Sequence, residues 1–342
     1  MRILTFARPS SPSGNGGAAE RPETGGSIVV RGLTKRYGDV LAVDHLDLDV
    51  PAGSVFGFLG PNGAGKTTTL RMLAGLARPS GGAINVAGVP VGQDPIALGR
   101  RIGYLDQAPR LYGWMKGREL LELAGRLCGL EGPALRERVA ELLDLVGLTG
   151  AAERSVGGYS GGMRQRIGIA QAIIHRPAVL FLDEPVSALD PEGRRDVLGL
   201  LERLRPATTV FMSTHILGDV ERICDRVAIV DHGRLVIEST IPALLAGHAA
   251  PAWELEVEAG REPSLRQAAD GLRARTWVRS VEVDGAIARV SVDDPELAAG
   301  ELLAAVATSD LRPVRVERVR PTLEDVFLSL VGRSRPDLRE VA

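Results

Sequence analysis

The stretch GPNGAGKTT, residues 60–68, fits the phosphate-loop pattern G-x-x-x-x-G-K-[ST] and decides the fold prediction. The apolar segment SVFGFLG before it indicates a strand, and KTTTLRMLAGL after it indicates a helix. Small residues in the loop let backbone N–H groups wrap phosphates, and the N-terminus of the helix attracts anions. The residues predicted to contact nucleotide phosphates are Gly60, Pro61, Asn62, Gly63, Ala64, Gly65, Lys66, Thr67 and Thr68.

The lysine of this loop stands out because the chain uses arginine almost everywhere else. Its three lysines are Lys35, Lys66 and Lys116. A compact ammonium group fits a narrow phosphate cradle better than a planar guanidinium does. We therefore expect Lys66 to reach the β- and γ-phosphates, and the hydroxyl of Thr67 to ligate Mg²⁺.

A second motif, AVLFLDEP at 178–185, supplies two carboxylates. The unbroken apolar run predicts a buried parallel strand, and Asp183 follows at its carboxyl end, where open α/β sheets bind ligands. We predict that Asp183 holds the shell of the Mg²⁺ ion and that Glu184 polarises the attacking water. An Asp-Glu pair at a strand end is commonplace by itself, so this prediction depends on the phosphate loop before it.

With these two motifs in order, the chain resembles the ABC ATPase family, and YSGGMRQR at 159–166 resembles its signature. Tyr159 stands where the family commonly has leucine. The hydroxyl of Ser160 can cap the next helix, while Gly161 and Gly162 bring N–H groups close to a phosphate. The resemblance implies that this segment faces the nucleotide held by the other subunit.

The same resemblance implies roles for four further residues. His215, in STH at 213–215, matches a histidine that contacts the γ-phosphate, and Gln107 matches a glutamine that senses Mg²⁺ and the membrane partner. Asp190 ends a loop that crosses the dimer interface, and Tyr37 matches an aromatic residue that stacks on adenine. Taken singly, such residues are more often capping, surface or half-buried residues, so their order around the two strong motifs carries these predictions.

Composition and apolar spacing predict the domain organisation. Residues 1–26, rich in Ser, Gly, Pro and Ala, are expected to form a disordered leader. Two strands near 28–31 and 40–49 indicate an antiparallel edge, and from Ser54 strands alternate with helices, which favours a mostly parallel sheet. We predict an α/β nucleotide-binding domain of the phosphate-loop ABC type over 27–246, with a helical subdomain at about 108–165.

A small α+β domain is predicted over 253–335, after the small-residue linker GHAAPA. Its segments follow the order β-α-β-β-α-β, Asp284-Gly285 marks a hairpin turn, and a last helix closes the domain. The closing PTLEDVFLSLVG resembles the C-terminal extension of exporter ATPases in the drug-resistance branch.

Composition bounds the function further. The net charge of −2 gives no sign of nucleic-acid binding, and Cys128 and Cys224 match no metal-binding spacing. No apolar run approaches the roughly 20 residues that span a bilayer. The resemblance implies an ATPase that binds ATP and Mg²⁺, dimerises with a second copy, and drives export through a separate transmembrane permease at the cytoplasmic face of the membrane. An import ATPase, and a soluble ABC ATPase unconnected with transport, remain as alternatives.

Overall fold

The computed structural model describes residues 27–205, 207–248, 251–307, 311–319 and 322–332. The chain forms two compact units, of which the first ends at Thr240 and the second begins at Ile241. The prediction of a disordered leader over 1–26 lies outside the described residues. Among the helices of the described ranges, each is too short or too polar to cross a membrane.

The first unit alternates strands with helices. Its strands are β1 Ile28–Tyr37, β2 Val40–Val50, β3 Val55–Leu59, β4 Gly81–Val86, β5 Val89–Pro90, β6 Ile102–Leu105, β7 Val179–Asp183, β8 Thr209–Thr214, β9 Arg226–Asp231 and β10 Arg234–Thr240. Its helices are α1 Lys66–Leu73, α2 Pro95–Gly99, α3 Gly117–Leu127, α4 Gly132–Leu145, α5 Gly161–Ala172, α6 Pro191–Leu204 and α7 Leu217–Ile223.

A six-stranded sheet with the order β10-β9-β3-β8-β7-β6 forms the centre of this unit. Its strands are parallel except β10, which pairs antiparallel with β9. All residues of β3, β7 and β8 are buried, as the near-continuous apolar runs predict for a sheet covered on both faces. Because these three strands are neighbours and parallel, the segments that follow their carboxyl ends meet at one edge, which confirms the predicted α/β class.

A separate antiparallel sheet, with the order β2-β1-β4-β5, accounts for the two early strands. The sequence placed them beside the nucleotide sheet, whereas Ile28 of β1 pairs with Val50 of β2 on one side and with Val86 of β4 on the other. All three side chains are buried in one cluster with Leu70 and Phe58. The early strands therefore lie in a second layer that packs over α1, and β10 supplies the antiparallel edge of the main sheet.

Helices dominate the chain between Gln107 and the end of α5. α3 and α4 arise from the segments with helical apolar spacing, and both contact α5. Tyr159, which precedes α5, is 3% exposed, and its hydroxyl donates to the carbonyl oxygen of Ala151 at 2.7 Å. The departure from leucine is thus accommodated, because the buried phenol gains a hydrogen-bond partner.

The second unit has its own core and its own antiparallel sheet. Its elements are α8 Ile241–His248, β11 Ala252–Val257, α9 Glu262–Arg273, β12 Val278–Asp284, β13 Ile287–Val292, α10 Pro295–Ala307, β14 Pro313–Val319 and α11 Leu323–Gly332. The sheet has the order β12-β13-β11-β14. The predicted β-α-β-β-α-β order, the hairpin at Asp284-Gly285 and the closing helix are therefore confirmed.

The division at Thr240 comes earlier than the predicted end of the nucleotide-binding domain at 246. The difference is α8, which packs against α11 and so clusters with the second unit. Sequence spacing could not reveal that contact, since its two helices are far apart in the chain.

Candidate functional site

A cavity of ≈300 Å³ opens at the carboxyl edge of the parallel sheet. It collects residues from the phosphate loop, from α1 and from the segments after β6, β7 and β8. The lining residues are Ala42, Asn62, Gly63, Gly65, Lys66, Thr67, Thr68, Gln107, Glu184 and His215. Four separate motifs of the sequence therefore share one site.

The phosphate loop owes its shape to close backbone contacts. Gly65 has φ +93, and a Cβ atom there would collide with the carbonyl oxygen of Ala42 in β2. A Cβ atom at Gly60 would collide with the carbonyl oxygen of Val230 in β9. These two positions require glycine, because the loop is held between the early hairpin and the parallel sheet.

Lys66 is the first residue of α1, and its ammonium group is turned into the loop. Its Nζ donates to the carbonyl oxygens of Gly60 at 2.7 Å and Pro61 at 3.2 Å, and it lies 3.6 Å from Oε1 of Glu184. Burial lowers the pKa of Lys66, while the carboxylates of Glu184 and Asp183 oppose that shift. A desolvated ammonium group of this kind gains strongly from an incoming anion.

The hydroxyl of Ser213 bonds both acidic residues at the carboxyl end of β7. Ser213 Oγ donates to Asp183 Oδ1 at 2.5 Å. The N–H of Glu184 donates to Oγ and to the carbonyl oxygen of Ser213, at 3.1 Å in each case. Glu184 has φ +47, in the left-handed region that residues with a Cβ atom disfavour. The two hydrogen bonds to Ser213 of β8 hold its backbone in this conformation.

His215 completes a row of three polar side chains across the cavity, after Lys66 and Glu184. Its Nδ1 lies 2.9 Å from Oε2 of Glu184, whose other oxygen faces Lys66. The Glu184 side chain is 8% exposed and that of His215 is 49% exposed. The glutamate is thus enclosed, whereas the histidine stands at the mouth, where it can meet the outermost part of a ligand.

Gln107 enters the cavity from the segment after β6. Its Nε2 donates to Ser187 Oγ at 3.5 Å, and its backbone N–H is bonded to Asp106 Oδ1 at 3.0 Å. Asp106 also lies 3.7 Å from Nη2 of Arg71 in α1. Gln107 therefore links the cavity to the loop at 187–190.

The donor set fits a Mg²⁺ ion bound together with phosphates. Asp183 is 1% exposed, and within the described part of the chain its Oδ2 has no hydrogen-bond partner. A buried, unpartnered carboxylate oxygen is costly unless a cation meets it. In the described ranges no group of three His, Cys, Asp or Glu side chains could hold a metal alone. Hard oxygen donors from Asp183, Thr67 and Gln107, completed by phosphate oxygens, suit Mg²⁺.

The remaining predicted residues lie outside this cavity. Tyr37 ends β1, is 52% exposed, and has Lys35 Nζ 4.6 Å from its ring centroid. Ser160 caps α5, as predicted, by accepting from the N–H of Met163 at 3.2 Å. Gly161 and Gly162 open that helix, and Asp190 caps α6 through the N–H of Gly193 at 2.9 Å.

Two residues that shape the site were missed from the sequence. Ser213 belongs to the STH motif, for which the sequence prediction concerned His215 alone. Ala42 lines the cavity through its place in β2, and no side-chain chemistry signals such a role. Alternation within β8 could have indicated Ser213, since it lies beside Asp183 in the parallel register.

Comparison with known proteins finds a matching family model in each of the two units. The model of the family described as "ABC transporter" matches residues 43–187, and that of the "ATP-binding protein DrrA1-3-like, C-terminal domain" matches 254–331. The daunorubicin/doxorubicin resistance ATP-binding protein DrrA of Streptomyces peucetius is 38% identical, over 91% of this chain and 94% of that protein. The Nod factor export ATP-binding protein I of Burkholderia orbicola is 37% identical, over 91% and 98% respectively.

Solved structures give the same fold for the first unit. CbiO1 from Clostridium perfringens, part of the ABC transporter complex CbiONQ, superposes with a TM-score of 0.61 at 26% identity, over 65% of this chain and 92% of that one. The dimeric bacterial ABC transporter cassette MJ0796 has a TM-score of 0.57 at 26% identity, over 62% and 98%.

The two units and the site together define a class of protein, the ATPases that power membrane transporters. The chain belongs to the ATP-binding subunits of ABC transporters, in the drug-resistance branch that carries this C-terminal domain. The enzyme activity of this class is ATP hydrolysis.

Proposed function

We propose that the cavity binds ATP with Mg²⁺ and hydrolyses it to energise export through a separate membrane subunit. This proposal rests on one observation. A single cavity at the N-terminus of α1 is lined by Lys66, Gln107, Glu184 and His215. Phosphoryl transfer requires positioning and charge neutralisation more than covalent chemistry from the protein, and these side chains suit both tasks.

Each residue has a role that its surroundings support. Lys66 and the N–H groups of the loop bind the β- and γ-phosphates. Thr67, Gln107 and Asp183 would hold Mg²⁺, which when bound neutralises charge on those phosphates. Glu184, fixed through its backbone by Ser213, orients the attacking water, and His215 contacts the γ-phosphate from the mouth.

The ATP-bound form is a dimer of two copies in this proposal. Ser160 and Gly161 are exposed at the N-terminus of α5, away from the cavity of their own chain. A helix N-terminus with free N–H groups favours a phosphate, so this segment would complete the site of the partner copy. The dimeric cassette at 26% identity supports such an assembly.

Export is favoured over import by the second unit. It matches the C-terminal domain named for DrrA proteins, and relatives over most of the chain are named for drug resistance or Nod factor export. The proposed partner is a transmembrane permease, and the proposed location is the cytoplasmic face of the membrane.

Replacement of Glu184 tests the proposed chemistry. Glu184→Gln should lower kcat of ATP hydrolysis by roughly 10²-fold or more, since general-base assistance is worth about that much. ATP affinity should stay within a few-fold, because the amide keeps the shape of the carboxylate. Steady-state hydrolysis and equilibrium binding of ATP would be measured on the purified full chain.

A matched control is Glu238→Gln, which removes a carboxylate that pairs with Arg226 at 3.1 Å, outside the cavity. It should leave kcat unchanged. Normal turnover by the Glu184 variant would overturn the proposed role of this residue.

A further inference from the structure

Lys35 differs from the other two lysines of the chain in the partners of its ammonium group. Lys66 lies in the cavity, and Lys116 forms an exposed ion pair. Within the described residues Lys35 has no carboxylate partner. Its Nζ donates to the carbonyl oxygen of Arg78 at 2.8 Å and lies 4.6 Å from the ring centroid of Tyr37. Charge pairing therefore does not account for a cation at this position.

The backbone around Lys35 is fixed to the segment that follows α1. The N–H of Arg36 donates to Oγ of Ser80 at 3.0 Å, and the N–H of Ser80 donates to the carbonyl oxygen of Thr34 at 2.8 Å. The bond that Lys35 donates is a third link to the same segment. The ammonium group therefore has a defined position, which is set by the helix that carries the phosphate loop.

The ring of Tyr37 lies where this ammonium group can orient it. Tyr37 comes two residues after Lys35 on β1, and strand alternation directs both side chains to one side. An aromatic face attracts a cation within about 6 Å of its centroid, so the ammonium group occupies one face of the ring. The tyrosine is 52% exposed, which leaves the opposite face accessible to a flat ligand.

A bulge in β2 connects this part of the hairpin with the cavity. The pairing of β1 with β2 shifts between Lys35 and Arg36, where Ala42 is the extra residue of β2. Ala42 lines the cavity, and its carbonyl oxygen closely approaches Gly65 of the phosphate loop. Bulges of this kind redirect a strand beside a binding site. The ring and the phosphate loop are thus joined through a few residues of one hairpin.

We propose that Lys35 is a positioning residue that presents one face of the Tyr37 ring to the purine base of ATP. The ammonium group covers the other face and keeps the ring from rotating away. A ring held in one orientation binds a base more tightly than a ring that samples several rotamers, since the competent fraction sets the apparent affinity. This role rests on the proposed binding of ATP, and it concerns the base rather than the phosphates.

Replacement of the ammonium group tests this role on the full chain. Lys35→Met removes the charge and keeps an unbranched stem, and it should raise the dissociation constant of ATP roughly two- to fivefold, the usual effect of an exposed cation–π contact. Lys35→Arg keeps a cation that can lie over a ring, and should bind ATP within about twofold of the unchanged chain. Calorimetric titration in the Glu184→Gln background would measure both affinities.

A second background shows whether Lys35 acts through the ring. Tyr37→Ala removes the ring, so Lys35→Met should cause no further loss of ATP affinity in that background. Two residues that act together in this way give a coupling energy in a double-mutant cycle, whereas independent residues give additive losses.

Inorganic tripolyphosphate with Mg²⁺ reports on the phosphate loop without a base. Its affinity should be the same for Lys35→Met and for the unchanged chain, whereas damage to the fold or a direct contact of Lys35 with phosphates would lower it. Arg36→Met is the matched control, since it removes an equal charge from the next residue of β1. Its Nη1 lies 3.4 Å from the carbonyl oxygen of Asp39, and the variant should bind ATP normally.

Three results would overturn this role for Lys35 and leave the proposed ATPase function intact. They are an unaltered ATP affinity of Lys35→Met, an equal loss in the Tyr37→Ala background, and an equal loss of affinity for tripolyphosphate. Failure of the unchanged chain to bind ATP would instead refute the proposed function, and this role with it.

Discussion

At the scale of single residues, the hydroxyl of Ser213 organises the carboxyl end of β7, where the proposed catalytic glutamate follows. It donates to Asp183 and accepts from the N–H of Glu184, whose backbone has φ +47. A left-handed conformation costs a residue with a Cβ atom roughly 1–2 kcal/mol, so it persists where neighbours enforce it. Ser213 is therefore a positioning residue for both carboxylates.

We predict that Ser213→Ala lowers kcat more than it raises KM for ATP. The change leaves a buried carboxylate oxygen of Asp183 without its donor, at a cost of roughly 1–3 kcal/mol. The N–H of Glu184 keeps the carbonyl oxygen of residue 213 as an acceptor but loses the hydroxyl, so the turn is held less firmly. When Glu184 leaves its turn, the attacking water is misplaced. Steady-state ATP hydrolysis and thermal unfolding of the variant would be measured together.

The control for this prediction is Thr208→Ala, just before β8. Thr208 is buried, and its Oγ1 donates to the carbonyl oxygen of Pro177 at 3.0 Å, away from the cavity. This variant should lose stability but keep its kcat. If the two variants lose kcat in proportion to their loss of stability, Ser213 has a structural role and no positioning role.

At the scale of elements, the early hairpin contributes Ala42 to the wall of the cavity that we propose to bind ATP. The end of β1 carries Tyr37, which pairs with Val40 of β2, and Ala42 two residues further on lines the cavity. An ATP molecule with its phosphates at Lys66 would extend its base along this hairpin. Tyr37, 52% exposed with Lys35 beside its ring, is available for stacking.

We predict that Tyr37→Ala weakens ATP binding by roughly five- to a hundredfold, because an aromatic–base stack is worth about 1–3 kcal/mol. Tyr37→Phe should bind as the unchanged chain does, since the π-face is retained. Calorimetric titration with ATP in the Glu184→Gln background would measure both. Equal affinities for Tyr37→Ala and Tyr37→Phe would reject stacking on the base.

Much of this architecture is predictable from the sequence because local signals agree. The phosphate loop, the buried run before Asp183 and the turn at Asp284-Gly285 each combine spacing with turn or strand chemistry. The separate sheet of β1, β2, β4 and β5 is not predictable in this way, since it depends on pairing between distant segments. The same holds for the backbone contacts of Ala42 with Gly65.

At the scale of the whole molecule, two chemically different surfaces of one chain are proposed to meet a second copy. The cavity side presents Asn62 and the loop glycines, and the other side presents Ser160 at the N-terminus of α5. Both surfaces offer N–H groups that attract phosphate, so they are not attracted to each other unless a phosphate lies between them. Pairing between them therefore depends on bound ATP.

We predict a disulfide between Asn62→Cys and Ser160→Cys proteins when they are mixed with ATP and Mg²⁺. Both would carry Glu184→Gln to hold ATP and Cys128→Ser to remove the exposed thiol. Asn62 is the better site because its neighbour Gly63 has φ +85, where a cysteine would be strained. Mixing single variants excludes bonds within one chain, so any crosslinked dimer reports contact between copies.

Two controls test whether this crosslink is specific. Leu127→Cys in place of Ser160→Cys is the control, since Leu127 is 80% exposed at the end of α3 and would report random collision. Omission of ATP should remove the Asn62–Ser160 crosslink, because the phosphate that both segments share is then absent. A crosslink of equal yield with and without ATP, or none with ATP, would show that Ser160 does not complete the partner's nucleotide site.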